Sequence, residues 1–396
     1  MTRQPLRVLC LDIEGGYGGS SRSLYQSILH LDRQAVEVEV WCKCQGPIQE
    51  AYAALGVPCR VMPTMPKVSA LPRFSRNLYA HARHWLDFWR ASSFRRELAR
   101  GAGQFDVVHM NHESLARLAA WLRSRTRAAI TVHNRTMLWD TPFSRRQVRC
   151  MARAASRLVF ISENERDNVR RLGCVIPGRV IYNIVEVPQS LPPAHPQILL
   201  DRRFRVASLA NCSWGRGTDR LIEVASALAS RGRRDLLFVV AGKTDLSGSM
   251  PGEAGRIGRK GGTLVDYAAN RGVADMFLFL GHVADPERVL AACHALIKPT
   301  REANPWGRDI LESLAFGCPV LSCGTYERFV ENGVTGFLYQ EYDPHRMAAD
   351  LLSLVDEPAR CRALGRAAVE KVRLFGDGPA NAAALAAVWQ EAYDDR

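Results

Sequence analysis

Short apolar runs alternate with longer amphipathic stretches along most of the chain. In the first half the apolar runs predict strands, and stretches such as residues 24–31 have the apolar spacing of helices. The predicted strands are residues 6–13, 36–42, 106–110, 128–133 and 157–162. Strand and helix in alternation predict a parallel, doubly wound α/β sheet.

The same alternation restarts after a proline-rich stretch. Pro188, Pro192, Pro193 and Pro196 lie in a segment with little helix or strand potential, which we interpret as a domain linker. Further strands are predicted at residues 204–211, 236–242, 276–283, 295–300 and 319–323, with a helix over 219–232. Two Rossmann-like domains are therefore expected. Because open α/β sheets bind ligands at the carboxyl ends of their strands, we expect a cleft that takes one ligand per domain.

The net charge of +13 is concentrated in the first half of the chain. Residues 1–190 hold 28 Lys and Arg against 15 Asp and Glu, whereas residues 191–396 hold 25 of each. This asymmetry predicts an anionic partner for the first domain. Phospholipid, a lipid diphosphate, nucleic acid and an acidic glycan all have the required charge.

The cysteines indicate a reducing compartment. All eleven are scattered, mostly within apolar runs, which is typical of reduced thiols in a cytosolic protein. Cys42 and Cys44 have no second pair and no nearby His pair to complete a zinc spacing, so no metal site is expected. No apolar span approaches the ~20 residues that cross a bilayer, and the N-terminus runs directly into a strand. We expect a soluble, mature, cytoplasmic chain.

A glycine-rich turn, GGYGGSS, follows the first strand at residues 15–21. It leaves backbone amides free to face an anion at a helix N-terminus. It does not match the dinucleotide fingerprint, because the third glycine would fall at Ser21. Glu37 and Glu39 lie where that fingerprint has an acid, but the exposed face of an edge strand explains their alternation with valine. A NAD-dependent oxidoreductase is therefore the weaker alternative.

The second domain repeats this arrangement in NCSWGRGTDRLIE, residues 211–223. Arg216, between Gly215 and Gly217, is expected at a helix N-terminus, where a guanidinium and the helix dipole would both favour a diphosphate. The alternative is a solvated arginine in a turn, since arginine is mostly exposed in proteins.

One long stretch carries a family resemblance. ALIKPTREANPWGRDILESLAFGCPVLSCGTYERFVENGVTGFL, residues 295–338, resembles the donor-binding signature of glycosyltransferase family 4, whose members have the GT-B fold. The glycine-rich turn, ITVHN at 130–134 and GRGTDRLIEVASAL at 215–228 are similar to further motifs of that family. The resemblance implies two Rossmann-like domains with parallel sheets facing across a cleft. The implied acceptor domain is residues 1–190 with a returning helix near 378–396, and the implied donor domain is residues 196–377.

The resemblance also implies roles for individual residues. Of the two glutamates in the family motif, Glu312 matches the one that faces the nucleotide ribose. Asn304 replaces the one that faces the donor sugar, and Glu302 is a candidate substitute for it. The family's Arg and Lys for the diphosphate map to Asn211 and Arg216. The expected catalytic residues are His133, Arg216 and Glu312, and the expected donor-binding residues are Gly18, Gly19, Asn211, Gly217, Glu302, Asn304, Trp306, Gly307, Arg308 and Asp309.

Three histidines are candidates in the first domain. His133 ends an apolar strand, where a structural histidine is the ordinary interpretation, and the resemblance instead implies contact with sugar or phosphate. His109 and His112 are alternative residues for the acceptor side.

The resemblance implies a hexosyl- or N-acetylhexosaminyl-transferase of polysaccharide biosynthesis that uses no cofactor. It implies that the sugar of a nucleotide diphosphate sugar, which we expect to be a UDP-sugar, is transferred with retention of the anomeric configuration. Preorganised donors stabilise a departing diphosphate. No Asp-x-Asp motif occurs, so Arg216 and helix N-termini are expected to take the place of a metal ion. The expected acceptor is a glycan or a lipid-linked sugar. A binding subunit without catalysis stays open as an alternative because of Asn211 and Asn304.

Residues 73–100 are the most basic part of the first domain, with seven arginines against two acids. Trp85, Phe88, Trp89 and Ser92 are spaced to share one face of a helix, which is typical of an interfacial helix at an anionic membrane. The alternative is a face that packs on the core. We expect the first domain to lie peripherally on the inner membrane face or to hold a lipid diphosphate, and we expect no nucleic-acid partner.

Overall fold

The computed structural model describes residues 4–16, 18–66, 78–302 and 304–396. The chain divides into two compact units, Met1–Ile184 with Asp377–Arg396, and Val185–Gly376. Each unit contains one parallel sheet with connecting helices. The first residues of the predicted interfacial helix, 73–77, lie outside the described residues.

Unit 1 contains a seven-stranded parallel sheet. Its strands are β1 (Leu6–Asp12), β2 (Val36–Cys42), β3 (Cys59–Val61), β4 (Val107–Met110), β5 (Ala129–Asn134), β6 (Arg157–Phe160) and β7 (Gly178–Val180), in the order β3-β2-β1-β4-β5-β6-β7. Its helices are α1 (Gly19–Leu29), α2 (Ile48–Ala54), α3 (Leu78–Arg90), α4 (Ser92–Gly101), α5 (Ala116–Leu122), α6 (Pro142–Ala154) and α7 (Glu163–Arg171). The strand order reverses between β1 and β4, and open α/β sheets typically bind ligands at such a switch point, outside the carboxyl ends of the strands.

The central strand β1 shows why both faces of this sheet are covered. Leu9 and Leu11 belong to one apolar core, whereas Val8 and Cys10 belong to another. Successive side chains of a strand point to opposite faces, so a continuous apolar run builds two cores at once.

Unit 2 contains a six-stranded parallel sheet. Its strands are β8 (Phe204–Ser208), β9 (Leu236–Ala241), β10 (Phe277–Gly281), β11 (Ala295–Lys298), β12 (Val320–Cys323) and β13 (Gly336–Tyr339), in the order β10-β9-β8-β11-β12-β13. Its helices are α8 (Pro196–Leu199), α9 (Arg220–Ala229), α10 (Gly252–Arg259), α11 (Leu264–Asn270), α12 (Pro286–Leu290), α13 (Arg308–Ala315), α14 (Pro344–Asp356) and α15 (Pro358–Phe375). The prediction of doubly wound α/β sheets in both halves is confirmed.

The last helix, α16 (Gly378–Asp394), is part of unit 1. Its Trp389 is fully buried and donates its indole N–H to His109 Nδ1 at 3.2 Å. Glu391 accepts a hydrogen bond from Arg179 at 2.7 Å. A buried hydrogen bond and an ion pair therefore hold this helix on the sheet of unit 1.

Two details of the predicted elements are wrong. β2 is not an edge strand, because β3 pairs with it on the far side from β1. The single basic helix predicted around Trp85 is instead α3 and α4, which break at Ala91, so Ser92 does not continue the face of α3. In the described part of the chain, no helix is long and apolar enough to cross a bilayer.

Candidate functional site

Two loops of unit 2 pack together where the paired strands β8 and β11 end. The Gly215 carbonyl accepts a hydrogen bond from the Arg301 N–H at 2.8 Å and another from the Thr300 hydroxyl at 2.9 Å. Gly217 has φ +68°, and a Cβ there would lie 2.1 Å from the Pro299 carbonyl oxygen. Only glycine allows this approach of the two loops.

Arg216 lies in an exposed turn between these glycines. The predicted helix N-terminus at Arg216 is wrong, because α9 begins at Arg220 with Asp219 as its N-cap residue. Asp219 is held by Arg301 in a buried bidentate ion pair, at 2.7 and 2.6 Å. Within the described ranges the Arg216 side chain forms no ion pair, so its guanidinium is open to an anionic ligand.

Glu302 and Asn304 fold back towards the Arg216 turn. Asn304 Nδ2 donates to Glu302 Oε2 at 3.3 Å, and Asn304 Oδ1 lies 2.9 Å from the Thr300 hydroxyl. A Cβ on Gly215 would lie 2.3 Å from Glu302 Oε1. The glutamate two residues before the expected position therefore lies beside the turn, and its part in sugar binding stays a prediction.

The predicted helix start is present at α13, and its part in anion binding stays a prediction. Gly307 is the N-cap residue with φ +120°, and Arg308 and Asp309 begin the helix. Arg308 Nε donates to Glu312 Oε1 at 2.9 Å within the helix, and both side chains are buried. Trp306, almost fully buried, makes an edge-to-face contact with Tyr326 at 5.3 Å between ring centroids.

Asn211 has a structural use in the loop after β8. Its Oδ1 accepts a hydrogen bond from the Lys243 N–H at 2.9 Å, which ties the loops after β8 and β9 together. The Asn211 side-chain amide carries no charge. The position therefore supplies no positive charge to an anion.

One residue near this site, Lys298, was not predicted. It ends β11, is 4% exposed, and donates to the Trp306 carbonyl at 2.8 Å and to Asp309 Oδ1 at 3.0 Å. The only signal in the sequence is a lysine at the end of an apolar strand.

In unit 1 the glycine-rich turn leads into α1. Gly18 is the N-cap residue and Gly19 the first helical residue. A Cβ on Gly18 would lie 1.8 Å from Glu14 Oε2, so a larger residue there would have to displace the Glu14 side chain. Beside it, Asn111 Nδ2 donates to Asp12 Oδ1 at 3.3 Å and to the Ser20 carbonyl at 3.2 Å. Burial raises the pKa of the Asp12 carboxyl.

His133 is buried next to Arg135. The Arg135 Nη2 group lies 3.1 Å from His133 Nδ1, and because a guanidinium only donates, Nδ1 must accept. Burial, reinforced by Arg135, lowers the pKa of His133 well below its usual value, so the ring is neutral. The single ring proton is therefore on Nε2, which has no hydrogen-bond partner among the described residues.

Arg135 was also missed by the sequence analysis. It donates to the Asn111 carbonyl at 2.8 Å and to Asn111 Oδ1 at 2.6 Å, while Glu113 accepts from its backbone N–H at 2.8 Å. It thus connects the loops after β4 and β5. In the sequence it is one of 47 arginines and carries no distinguishing motif.

The other two histidines differ from expectation. His109 is fully buried between Thr131 and Trp389, so its assignment to an acceptor surface is wrong. His112 Nδ1 accepts from the Ser114 N–H at 3.1 Å and caps a short 3₁₀ turn, Glu113–Leu115.

Two family models match the chain in series. Residues 17–188 match the model described as Glycosyltransferase Family 4, and residues 195–371 match Glycosyl transferases group 1. The chain belongs to the family 4 glycosyltransferases. The resemblance inferred from the sequence motifs is thereby confirmed.

Curated relatives of this glycosyltransferase have a common name. A D-inositol 3-phosphate glycosyltransferase of Thermobispora bispora is 36% identical over 135 residues, which cover 33% of this chain and 31% of the relative. D-inositol 3-phosphate glycosyltransferase 1 of Catenulispora acidiphila is 24% identical over 412 residues, which cover 96% of this chain and 90% of the relative. The chain thus spans less than a third of the first relative.

A solved structure has the same fold as this glycosyltransferase. Anabaena HepE in complex with UDP superposes with a TM-score of 0.74 at 19% identity, covering 96% of this chain and 99% of that one. The match supports the GT-B architecture.

The groups that this glycosyltransferase assembles in unit 2 are suited to a phosphorylated ligand. They comprise one open guanidinium and a glycine-started helix. Across the described ranges, no three His, Cys, Asp or Glu side chains are grouped as ligands for a metal ion.

Proposed function

We propose that the chain transfers a sugar from a nucleotide diphosphate sugar to an acceptor, with retention of the anomeric configuration and without a metal ion. The observation that supports this most is the packing of the Arg216 turn against the loop that leads to Gly307. It brings an open guanidinium close to the strand end from which the loop to α13 begins. Such preorganised donors stabilise the charge that forms on a departing diphosphate.

The proposed donor is a UDP-sugar. The support is that solved neighbours of the same fold include a complex with UDP and one with UDP-glucose. Differential scanning fluorimetry with UDP, GDP, ADP, TDP and NAD would test this choice. We expect UDP to raise the melting temperature most, because a ligand that binds only the folded state stabilises it. Stabilisation by NAD alone would favour the oxidoreductase alternative.

Turnover gives the sharper test. UDP-glucose and UDP-N-acetylglucosamine would be incubated with the protein in the presence of EDTA, and release of UDP would be followed. We expect release at a rate that EDTA does not change, and an α-configured product by NMR from an α-linked donor. An absolute requirement for manganese would overturn metal independence, and a β-configured product would overturn retention.

A binding subunit without catalysis is the second candidate. It is favoured by the neutral residues Asn211 and Asn304 at positions where the family motif has charged ones. A chain that binds UDP tightly yet cleaves no sugar donor with any acceptor would support this candidate instead.

We propose a glycan or lipid-linked sugar as the acceptor. The names of the curated relatives suggest D-inositol 3-phosphate as the competing acceptor. A panel of D-inositol 3-phosphate, a polyprenyl diphosphate sugar and short oligosaccharides, each with the donor found above, would decide between them. Product formed only with D-inositol 3-phosphate would contradict our proposal.

Unit 1 also has a surface suited to an anionic membrane. This arginine–tryptophan surface comprises Trp85, Leu86, Trp89, Arg117, Arg125 and Arg146, together with Arg95, which is largely buried with its guanidinium against the Trp89 ring. The guanidinium carbon of Arg117 lies 3.4 Å from the ring centroid of Trp85, and that of Arg146 lies 4.9 Å from it. Trp89 is 63% exposed. Such a combination of exposed aromatic and cationic groups is typical of a membrane interface.

The charges of this surface are not balanced within the protein. In the described part of the chain, none of its four arginines forms an ion pair. Burial and the neighbouring Arg146 lower the pKa of Arg117 to about 10, which still leaves it charged at neutral pH. Each basic group near an anionic bilayer contributes about 1 kcal/mol. We therefore propose that the protein binds peripherally to the inner membrane face. The eleven free cysteines favour the reducing cytoplasm as its compartment.

Vesicle flotation would test the membrane proposal. We expect the protein to float with phosphatidylglycerol vesicles and not with phosphatidylcholine vesicles, and to be released by 0.5 M salt because screening weakens the attraction. Leu86→Ser with Trp89→Ser should abolish flotation, whereas Leu374→Ala, a change at an exposed apolar residue of unit 2, should not. Equal flotation with both vesicle types would rule the proposal out.

A further inference from the structure

Lys298 is an unusual residue for the position it occupies. It ends β11, which is paired on both sides by β8 and β12, and it is 4% exposed. An ammonium group is costly to bury unless it is paired and hydrogen-bonded. Its retention in the interior of unit 2 therefore calls for a physical explanation.

Both partners of Lys298 belong to the turn that starts α13. Its Nζ donates to the Trp306 carbonyl at 2.8 Å and to Asp309 Oδ1 at 3.0 Å. A Cβ on Gly307 would lie 3.3 Å from the same nitrogen. The ammonium thus lies directly beneath the residues that begin the helix.

The bond to Trp306 fixes the direction of one amide. In a trans peptide the C=O and the following N–H point in opposite directions. Because the Trp306 carbonyl is turned inward to Lys298, the Gly307 N–H must be turned away from it. An N–H at a helix start that faces away from the core is available to an anion.

The hydrogen bond from Lys298 to Asp309 changes the net charge at the start of α13. A carboxylate in the first turn of a helix suits the helix dipole but repels an anionic ligand at the same helix end. Lys298 neutralises Asp309 from below. Burial lowers the pKa of Lys298, and the charge of Asp309 opposes this shift. The charges of Arg216 and Glu302 also act on the ammonium, so it belongs to the same electrostatic environment as the open guanidinium.

We propose that Lys298 is a positioning residue for the donor diphosphate, which holds the Trp306 carbonyl inward and cancels the charge of Asp309. This inference rests on the proposed function of unit 2. It removes the repulsion of the Asp309 carboxylate from a site where Asn211 supplies no cation. Lys298 acts through the turn and its charge, not through the reacting atoms.

Isothermal titration of four proteins with UDP and with uridine would test the inference. The proteins are the wild type, Lys298→Met, Asp309→Asn and the double variant. We expect Lys298→Met to weaken UDP binding about tenfold or more while uridine binding changes less than about twofold, since only UDP carries the phosphates. The double variant should bind UDP more tightly than Lys298→Met, because the uncompensated carboxylate is gone.

Lys371→Met is the matched control. Lys371 is another lysine of unit 2 in an ion pair, with Glu331, and its loss should leave UDP binding unchanged. If Lys298→Met does not fold, the double variant, which buries no unpaired charge, takes its place and should still bind UDP more weakly than Asp309→Asn.

The outcomes separate the inference from the proposed function. Wild-type protein that binds no nucleoside diphosphate would refute both. The inference alone would be refuted if the wild type binds UDP and Lys298→Met binds it equally well. It would also be refuted if Lys298→Met loses affinity for UDP and for uridine by the same factor. A double variant no better than Lys298→Met would refute the charge argument.

Discussion

Arg216 and Lys298 carry the same charge in the same unit, yet only one could be identified from the sequence. Arg216 is flanked by two glycines in a polar stretch, and such a pattern indicates a loop that approaches a ligand. Lys298 follows three apolar residues, and its partners come eight and eleven residues later. Packing of the loop onto the strand end brings them together, and no local pattern encodes that packing.

At the residue scale, Glu312→Gln tests the carboxylate in α13. The change keeps the shape of the side chain but removes the charge that pairs with Arg308. We expect kcat/KM for the sugar donor to fall about ten- to a hundredfold, because a hydrogen bond between a charged carboxylate and a ribose hydroxyl contributes about 1.5–3 kcal/mol. Steady-state kinetics would measure the loss. Glu370→Gln, which removes an exposed partner of Arg373, should have no effect.

A second residue-scale prediction concerns the proton on His133 Nε2. Replacing His133 by Phe removes the donor, whereas Gln retains an amide N–H that can donate. We expect the Phe variant to lose about a hundredfold in kcat/KM and the Gln variant clearly less. UDP affinity should change in neither, since His133 belongs to unit 1. Equal activity of the wild type and the Phe variant would mean that His133 is only structural.

At the element scale, the sequence predicted the long buried strands but missed three short ones, β3, β7 and β13. β3 and β7 have three residues each, which is too short to show a period. β13 has four residues, as the predicted strands β4, β6, β11 and β12 do, but it begins with a glycine. The helix N-terminus expected at Arg216 is not there, because residues 214–219 form turns and Asp219, the N-cap residue of α9, pairs with Arg301. That ion pair spans 82 residues of sequence and is not encoded locally.

The close approach of the two unit 2 loops yields a prediction of its own. In Gly217→Ala the new Cβ would meet the Pro299 carbonyl, so the loop that carries Arg216 must shift. We expect a lower melting temperature and UDP binding weakened at least about tenfold. Gly232→Ala is a matched control, because φ there is +72° with nothing within 4 Å of the new atom. Gly232→Ala should cost stability through its backbone strain alone and leave UDP binding unchanged.

At the scale of the whole molecule, the chain joins two sheets of the same kind, and α16 belongs to the first of them. Trp389 of α16 donates to His109, which lies on β4 at the centre of that sheet. The C-terminal residues of the chain are thereby part of the core of unit 1. The hydrogen bond requires His109 to accept at Nδ1, which a doubly protonated ring cannot do.

This arrangement makes the stability of unit 1 depend on pH. Burial, together with Arg135, lowers the pKa of His109 to about 3, against 6.5 in an unfolded chain. Between these values the unfolded state binds more protons than the folded state. The contribution of His109 is therefore fully present above pH 6.5 and is lost progressively as the pH falls towards 3. Between pH 7 and pH 5 the expected loss is about 2 kcal/mol for this one histidine.

Urea unfolding of unit 1 at pH 7, 6 and 5 would check this expectation, with wild type compared to His109→Gln. Gln keeps an oxygen that can accept from Trp389 but does not titrate. The wild type should lose about 2 kcal/mol more than His109→Gln between pH 7 and pH 5, because His133 and the other titrating groups are common to both proteins. His345→Gln, a change at an exposed histidine of unit 2, should behave as the wild type. Parallel pH profiles for the wild type and His109→Gln would show that the ring next to Trp389 is not kept neutral by burial.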